Sequence, residues 1–258
     1  MKSSLIAATA VLSMALAPSV ASASAITFTG TSGDKAASVT FDTIGTNLVV
    51  TLSNTSMIDA NVPTDILTGV FFDINGVGSL TPLSAILPAG SLVTGNGGLT
   101  DAGNSVAGEW AYKSGLSAPH GASEGISSSG LGLFGPPDRF DTSSNLQGPE
   151  TPDGIQYGIT THGDNPATGN GGIGNGGLTD PGLIRWQVVF TLSGLTAGFD
   201  PSAIGSITNV SFQYGTSLTE PNFTSDRTIT EATVPEPTSL LLLGGGLSML
   251  ATRLRRRS

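Results

Sequence analysis

Apolar and polar residues alternate with a period of two along several short stretches of this chain, and that period belongs to β-strands. A-S-V-T-F-D (Ala37–Asp42) alternates, and N-L-V-V-T-L-S-N (Asn47–Asn54) is a β-branched run ending in turn residues. D-I-L-T-G-V-F-F-D-I (Asp65–Ile74) stops at Asn75-Gly76. L-I-R-W-Q-V-V-F-T-L-S-G (Leu183–Gly194) and I-T-N-V-S-F-Q-Y-G-T (Ile207–Thr216) repeat the style late in the chain. Within Arg185–Thr191, Trp186, Val188 and Phe190 share one face, which is expected in the core; Arg185, Gln187, Val189 and Thr191 share the other. Short strands of this kind, punctuated by Gly, Asn and Asp, predict an all-β body: an antiparallel β-sandwich, jelly-roll-like, with Gly-rich loops.

The middle of the chain has a different texture. From Pro88 to Pro181, Gly, Ser, Asn and Pro dominate, which favours loops and short strands. Two islands, E-W-A-Y-K (Glu109–Lys113) and G-L-G-L-F-G-P-P-D-R-F-D (Gly130–Asp141), are expected to add strands to the same sandwich. N-G-G-L-T-D occurs at Asn96–Asp101 and again at Asn175–Asp180. The plain reading is a pair of turn-rich loops in which Asn and Gly take positive φ. The sharper reading is a pair of related loops whose Asp101 and Asp180 oxygens, with backbone carbonyls, hold Ca2+. The spacing fits no EF-hand loop and no nonapeptide repeat. No cofactor is therefore expected, with Ca2+ as the one candidate.

The two ends depart from the β pattern. Residues 1–23 carry one positive charge, at Lys2, then an uncharged stretch that finishes in small residues. Ala21 and Ala23 fit the small-x-small rule, so this segment reads as the helix of a cleaved signal peptide. Residues 24–233 form the body. Residues 234–258 begin with V-P-E-P, continue uncharged and mostly Leu and Gly from Ser239 to Ala251, and end in R-L-R-R-R-S. As a helix, Ser239–Ala251 rises about 20 Å, against the roughly 30 Å of a bilayer's hydrocarbon core. It reads as a short transmembrane helix, with Arg253, Arg255, Arg256 and Arg257 holding its end in the cytoplasm. The body then lies outside. A plain membrane anchor is the alternative to a sorting signal.

Charge and cysteine content narrow the function. The body holds 18 acidic residues against five basic ones, about −13, compared with −9 for the whole chain. That balance excludes electrostatic binding of nucleic acid. With no cysteine there is no disulfide, thiol nucleophile or thiolate metal site. Candidate catalytic motifs are thin. G-A-S-E-G (Gly121–Gly125) matches G-x-S-x-G only by letter, since a nucleophile elbow needs a strand before Ser123 and a helix after it. S-G-D-K (Ser32–Lys35) reads as a hairpin turn. His120 and His162 stand far apart in Gly-rich loops, and carboxylate pairs such as Asp138 and Asp141 lie in loops as well. Asn54, Asn209 and Asn222 occupy N-x-[S/T] sequons. The chain is expected not to be an enzyme.

The order of the last segment is specific: Val234-Pro235-Glu236-Pro237, a hydrophobic run, then an arginine cluster, with a signal peptide at the opposite end. It resembles the PEP-CTERM sorting signal of exosortase-dependent bacterial surface proteins. The resemblance implies recognition and cleavage near Pro235, Glu236 and Pro237 by exosortase, a membrane-embedded transpeptidase. It also implies an inner-membrane intermediate and a Gram-negative host that makes exopolysaccharide. The product would be a protein of the cell surface or biofilm matrix. Ser128–Asp141, Pro152–Thr160 and Val210–Phe223 resemble the bodies of a subset of such proteins. The alternative function is an extracellular carbohydrate-binding module, Ca-dependent or not, for exopolysaccharide. Exposed Trp110, Tyr112 or Tyr157 would favour it.

Overall fold

A computed structural model describes residues 25–95, 103–140, 152, 154–165, 167–168, 173 and 180–229. The expected signal helix, its cleavage residues Ala21 and Ala23, and the whole of 234–258 lie outside the described residues. Those that are described form an all-β body with no α-helix; single 3-10 turns are the only helical elements. No helix among them is long and apolar enough to cross a membrane.

Among the described residues fourteen strands run in chain order: β1 (Ile26–Ser32), β2 (Lys35–Ile44), β3 (Asn47–Asn54), β4 (Leu67–Ile74), β5 (Thr81–Ile86), β6 (Leu92–Thr94), β7 (Ala111–Ser114), β8 (Glu124–Ser127), β9 (Ile159–Thr160), β10 (Leu183–Arg185), β11 (Gln187–Ser193), β12 (Ile207–Tyr214), β13 (Asn222–Thr224) and β14 (Asp226–Ile229). One sheet has the order β14-β1-β2-β3-β11-β5, with every pairing antiparallel. The other has the order β13-β12-β4-β9-β10-β6, with β8 against β4 and β7 against β8. It is mixed, because β9 and β10 run parallel.

The alternation seen in the sequence becomes the inner face of the first sheet. Val39 and Phe41 of β2, Leu48, Val50 and Leu52 of β3, and Val188, Phe190 and Leu192 of β11 are all buried, and their neighbours less so. Their partners across one shared core are Val70 and Phe72 of β4 and Phe212 and Tyr214 of β12. Phe41 packs edge-on against Phe28 and Phe72, and Trp110 tilts against Phe190 at 4.9 Å. β4 reads as a continuous apolar run because it is covered on both sides. Val70 and Phe72 enter the main core, while Phe71 packs outside with Ala111, Ala122 and Phe134.

Three expectations need correction. Leu183–Gly194 is not one strand: β10 belongs to one sheet and β11 to the other, and the chain crosses between them at Trp186. Trp186 has φ 88°, a left-handed conformation that costs a bulky residue. That turn takes its ring out of the Val188–Phe190 row, and it is half-buried rather than in the core. Finally, the Gly130 island adds no strand. Over its described residues, 130–140, it forms turns and a 3-10 turn, and its ladder contact is a bridge from Arg139 to Ala111. Pro136-Pro137 removes the donors a ladder would need.

Candidate functional site

Antiparallel pairing gives the body two distinguishable ends. Ile26 lies opposite Ile229, so the first and last described strands start and stop together at one corner. β1 then runs away from that corner to Ser32, where Gly33-Asp34 turns the chain back and Ser32 pairs with Lys35. Gly33 takes φ 58° there, which glycine adopts freely, so S-G-D-K is a hairpin turn as expected. Seven residues of strand separate the two ends, about 20 Å. Asn54, Leu67, Thr160 and Tyr214 fall at the far end with the turn.

The far end holds a cleft of about 170 Å3, lined by Asp34, Lys35, Ser56, Ile58, Asp59, Asn61, Asp65, Thr161 and Tyr214. Asn54 organises one wall. It is fully buried, its amide donates to the carbonyls of Asp65 (3.1 Å) and Ile159 (3.0 Å), and its oxygen accepts from Ser56 N (3.4 Å). The loop after β3 is thereby folded back over the sheet end. Asp65 fixes the next turn by accepting from the backbone N–H groups of Asn61 (3.0 Å) and Val62 (3.1 Å), and it pairs with Lys35 at 3.1 Å. The Lys35 ammonium also lies 5.9 Å from the Tyr214 ring centre. Burial, and next the Asp65 charge, push the Tyr214 hydroxyl far above its ordinary range, so it stays a neutral donor to the Ala36 carbonyl.

The opposite wall is the segment after β9. Gly163 donates to Ser56 O at 3.0 Å, and a Cβ on it would collide with the Met57 backbone, so only glycine lets the two segments lie this close. Thr161 donates to Ile58 O (2.5 Å). Asp164 accepts from Ala60 N (3.3 Å), and Asp59 accepts from Asn165 N (2.9 Å) and Thr168 Oγ1 (3.3 Å). The two carboxylates therefore cross-tie the loops and come to lie side by side. Burial first, and the neighbouring Asp59 charge as well, raise Asp164 above the usual carboxylate range despite the Ala60 hydrogen bond.

A second polar group lies toward the other end, where Ile26 pairs with Ile229. Asp73 accepts from Ser123 N and Oγ, both at 2.7 Å, and from Asn209 Nδ2 at 2.6 Å. Tyr112 donates to Glu124, whose pKa is raised by burial, against the Tyr112 hydrogen bond and with help from Asp73. Strand β8 begins immediately after Ser123, so G-A-S-E-G makes no strand-to-helix elbow.

The other sequence candidates are dispersed. Trp110, Tyr112 and Tyr157 are buried, which removes the aromatic platform that the carbohydrate reading needed from them. Trp186 is half-buried, with His162 stacked on its ring at 5.1 Å. His120 is exposed at φ 57°. Asp138 accepts from Gly135 N (2.7 Å) and pairs with Lys113 (3.2 Å), while Asp141 lies outside the described residues. Asp180 is half-buried at φ 55°, and Asp101 lies outside the described residues. Asn54, with its amide donated to two carbonyls, is no acceptor for glycans despite its sequon. Among the described residues no three of His, Asp and Glu converge on a metal position. The Asn54 hub and the Asp59–Asp164 pair were not foreseen from sequence. The only local signal was a density of Asp, Asn and Ser on both sides of the cleft.

Residues 233–257 match the family model of the PEP-CTERM protein-sorting motif. The matched span contains Pro235, Glu236 and Pro237 and also Arg253, Arg255, Arg256 and Arg257, all outside the described residues. Neither the curated proteins nor the solved structures gave a match.

Proposed function

We propose, from the premise that the C-terminal sorting motif makes this chain an exported exosortase substrate anchored in the membrane before processing, that it is a non-catalytic surface or biofilm-matrix protein of a Gram-negative bacterium. In this reading the leader is cleaved after Ala23. Pro235-Glu236-Pro237 is the recognition triplet, and the arginines hold the end of a short transmembrane helix in the cytoplasm. The body is a sandwich of jelly-roll type. It stands off the membrane by its tether corner and turns the cleft end outward.

The observation that carries this reading is the family match at 233–257. The pairing of Ile26 with Ile229 supports it, because leader and tail then leave the body at the same corner, and one face can be presented whole. Glu236 sits between two prolines, a sequence that disfavours helix at the triplet. Intact-mass spectrometry of the protein from its own host, with and without the sorting protease, tests it. The expected mass lacks residues 1–23 and the residues after the triplet. Removal of the tail should depend on the protease and be lost in Glu236→Ala. A mass that keeps Ser239–Ser258 in both strains overturns it and leaves a plain anchored protein.

A further inference from the structure

We infer that the end of the body at which Ile26 pairs with Ile229 is a lipid-facing surface: in the anchored chain its loop tips, Ile44 and Ile204, rest in the headgroup region of the bilayer that holds the tail. The inference rests on the proposed anchoring of the tail and goes beyond it, since the tether corner becomes a contact rather than a spacer. Four loops form this end: 44–46 at the β2–β3 turn, 75–79 after β4, 115–123 between β7 and β8, and 194–206 between β11 and β12. Hydrogen bonds hold three of them together. Thr46 O accepts from Gly194 N (3.3 Å) and Leu195 N (3.0 Å), Asn75 N donates to Ser206 O (2.9 Å), and Asn75 Nδ2 donates to Gly205 O (2.8 Å).

Two aliphatic side chains stand out from this end. Ile204 is 92% exposed and Ile44 is 67% exposed. Exposed aliphatics scattered singly are ordinary on a protein surface. These two share one end with the points where the chain enters and leaves the body, and that end carries little charge. Its four loops contain one carboxylate, Asp200, whose Oδ1 already accepts from Ser202 N (2.9 Å) and Oγ (2.7 Å). Just inside the end, Asp42 accepts from Thr43 N, Asp73 from Ser123 and Asn209, and Glu124 from Tyr112. At the cleft end the loops carry Asp34, Asp59, Asp65, Asp164 and Glu220. An anionic bilayer surface repels carboxylates, so an acidic body approaches it best by its charge-poor end.

Chain length brings the two surfaces together. Residues 230–238 lie between Ile229 and the hydrophobic run that starts at Ser239, and they include Glu231 and Glu236. A linker of that length spans at most about 30 Å, so the body stays beside the bilayer while the tail is held. Such a tether makes a weak contact intramolecular, at an effective concentration on the order of millimolar. Ile44 and Ile204 then suffice: each moves an aliphatic side chain out of water into the boundary between headgroups and acyl chains. The processed protein, without the tether, is expected to leave the lipid.

The chain has no cysteine, so a single introduced one carries a label at a known place. The test uses the chain from a host without the sorting protease, reconstituted in vesicles of equimolar phosphatidylethanolamine and phosphatidylglycerol. Ile204→Cys, Ile44→Cys and, at the cleft end, Met57→Cys each receive an environment-sensitive fluorophore; all three side chains are exposed, and an unchanged Tm checks that each variant folds. Blue-shifted emission that is lost to spin-labelled lipid is expected at 204 and 44 and not at 57. With the label at 44, Ile204→Asp should abolish both the shift and the loss. Water-like emission at 204 and 44 in a chain that floats with the vesicles overturns the lipid face and leaves the anchored reading standing. A chain that does not float with them overturns both. Equal quenching at 57 overturns the preference for this end. A blue shift without lipid quenching, growing with protein density, assigns the face to a second copy of the chain and overturns the lipid assignment.

Discussion

The two ends of the body are held by different physics. At the corner where Ile26 pairs with Ile229, β1 is sandwiched between β14 and β2, and the apolar row behind it runs through Ile26, Phe28 and Phe41. At the cleft, loops are tied by side-chain oxygens that accept backbone N–H groups, within a turn at Asn54 and Asp65 and between segments far apart in sequence at Asp59 and Asp164. The first end is stabilised by area removed from water, which any apolar side chain of similar volume supplies. The second is stabilised by the match of particular donors to particular acceptors, which tolerates little exchange. A protein of this build can keep its scaffold and vary its cleft end, but each change there must keep the ties made.

That contrast can be broken or sharpened by measurement. The largest effect is expected from Phe41→Ala. It removes a fully buried ring from between Phe28 and Phe72 and should cost about 3–5 kcal/mol in denaturant unfolding, with both ends lost together. Asn54→Ala comes next, at about 2–3 kcal/mol, because the Asp65 and Ile159 carbonyls are left without a donor. In hydrogen exchange, amides of 56–66 and 161–165 should speed up in this variant while those of 39–41 stay protected. Uniform acceleration through β1–β3 would show that the two ends are one cooperative unit and that the contrast fails.

The smallest effect is a dependence on pH. Asp164 and Glu124 have folded pKa values raised above their unfolded ones. The folded state then holds more protons between those values, so this contribution to stability is greatest below about pH 4 and is lost as pH rises through the raised values. Asp164→Asn should flatten the fall in Tm as pH rises through that raised value. An unchanged profile would mean that the Asp59–Asp164 contact is already neutralised by other means.

The same contrast decides what was legible in the sequence. Asn47–Asn54 is a strand with the bounds its pattern indicated, β4 and β12 fall inside the stretches that apolar runs marked, and β2 extends past the alternating Ala37–Asp42 at both ends. Periodicity is a local record of which face is buried, so it survives in the letters. β9 has two residues and is too short to show a period, and Pro82 disguises β5. The break between β10 and β11 rests on a positive φ at Trp186, where no glycine or asparagine announces it. The cleft was legible only as a surplus of Asp, Asn and Ser. Which oxygen meets which N–H is fixed by partners more than a hundred residues apart, as for Asp164 and Ala60. The tail was legible at once because its signal is linear: a motif, a greasy run and a basic cluster in order.

The pairing of Ile26 with Ile229 also sets a timetable for export. The strand that emerges first has to wait for the one that emerges last, so the six-stranded sheet is not complete until nearly the whole body has been translocated. Only residues 230–233 separate β14 from Val234. A tail that halts in the bilayer therefore halts just after the last strand has cleared the membrane. In the proposed function, release from the membrane would come after the first point at which the chain can close its sheet, so what is released could already be folded.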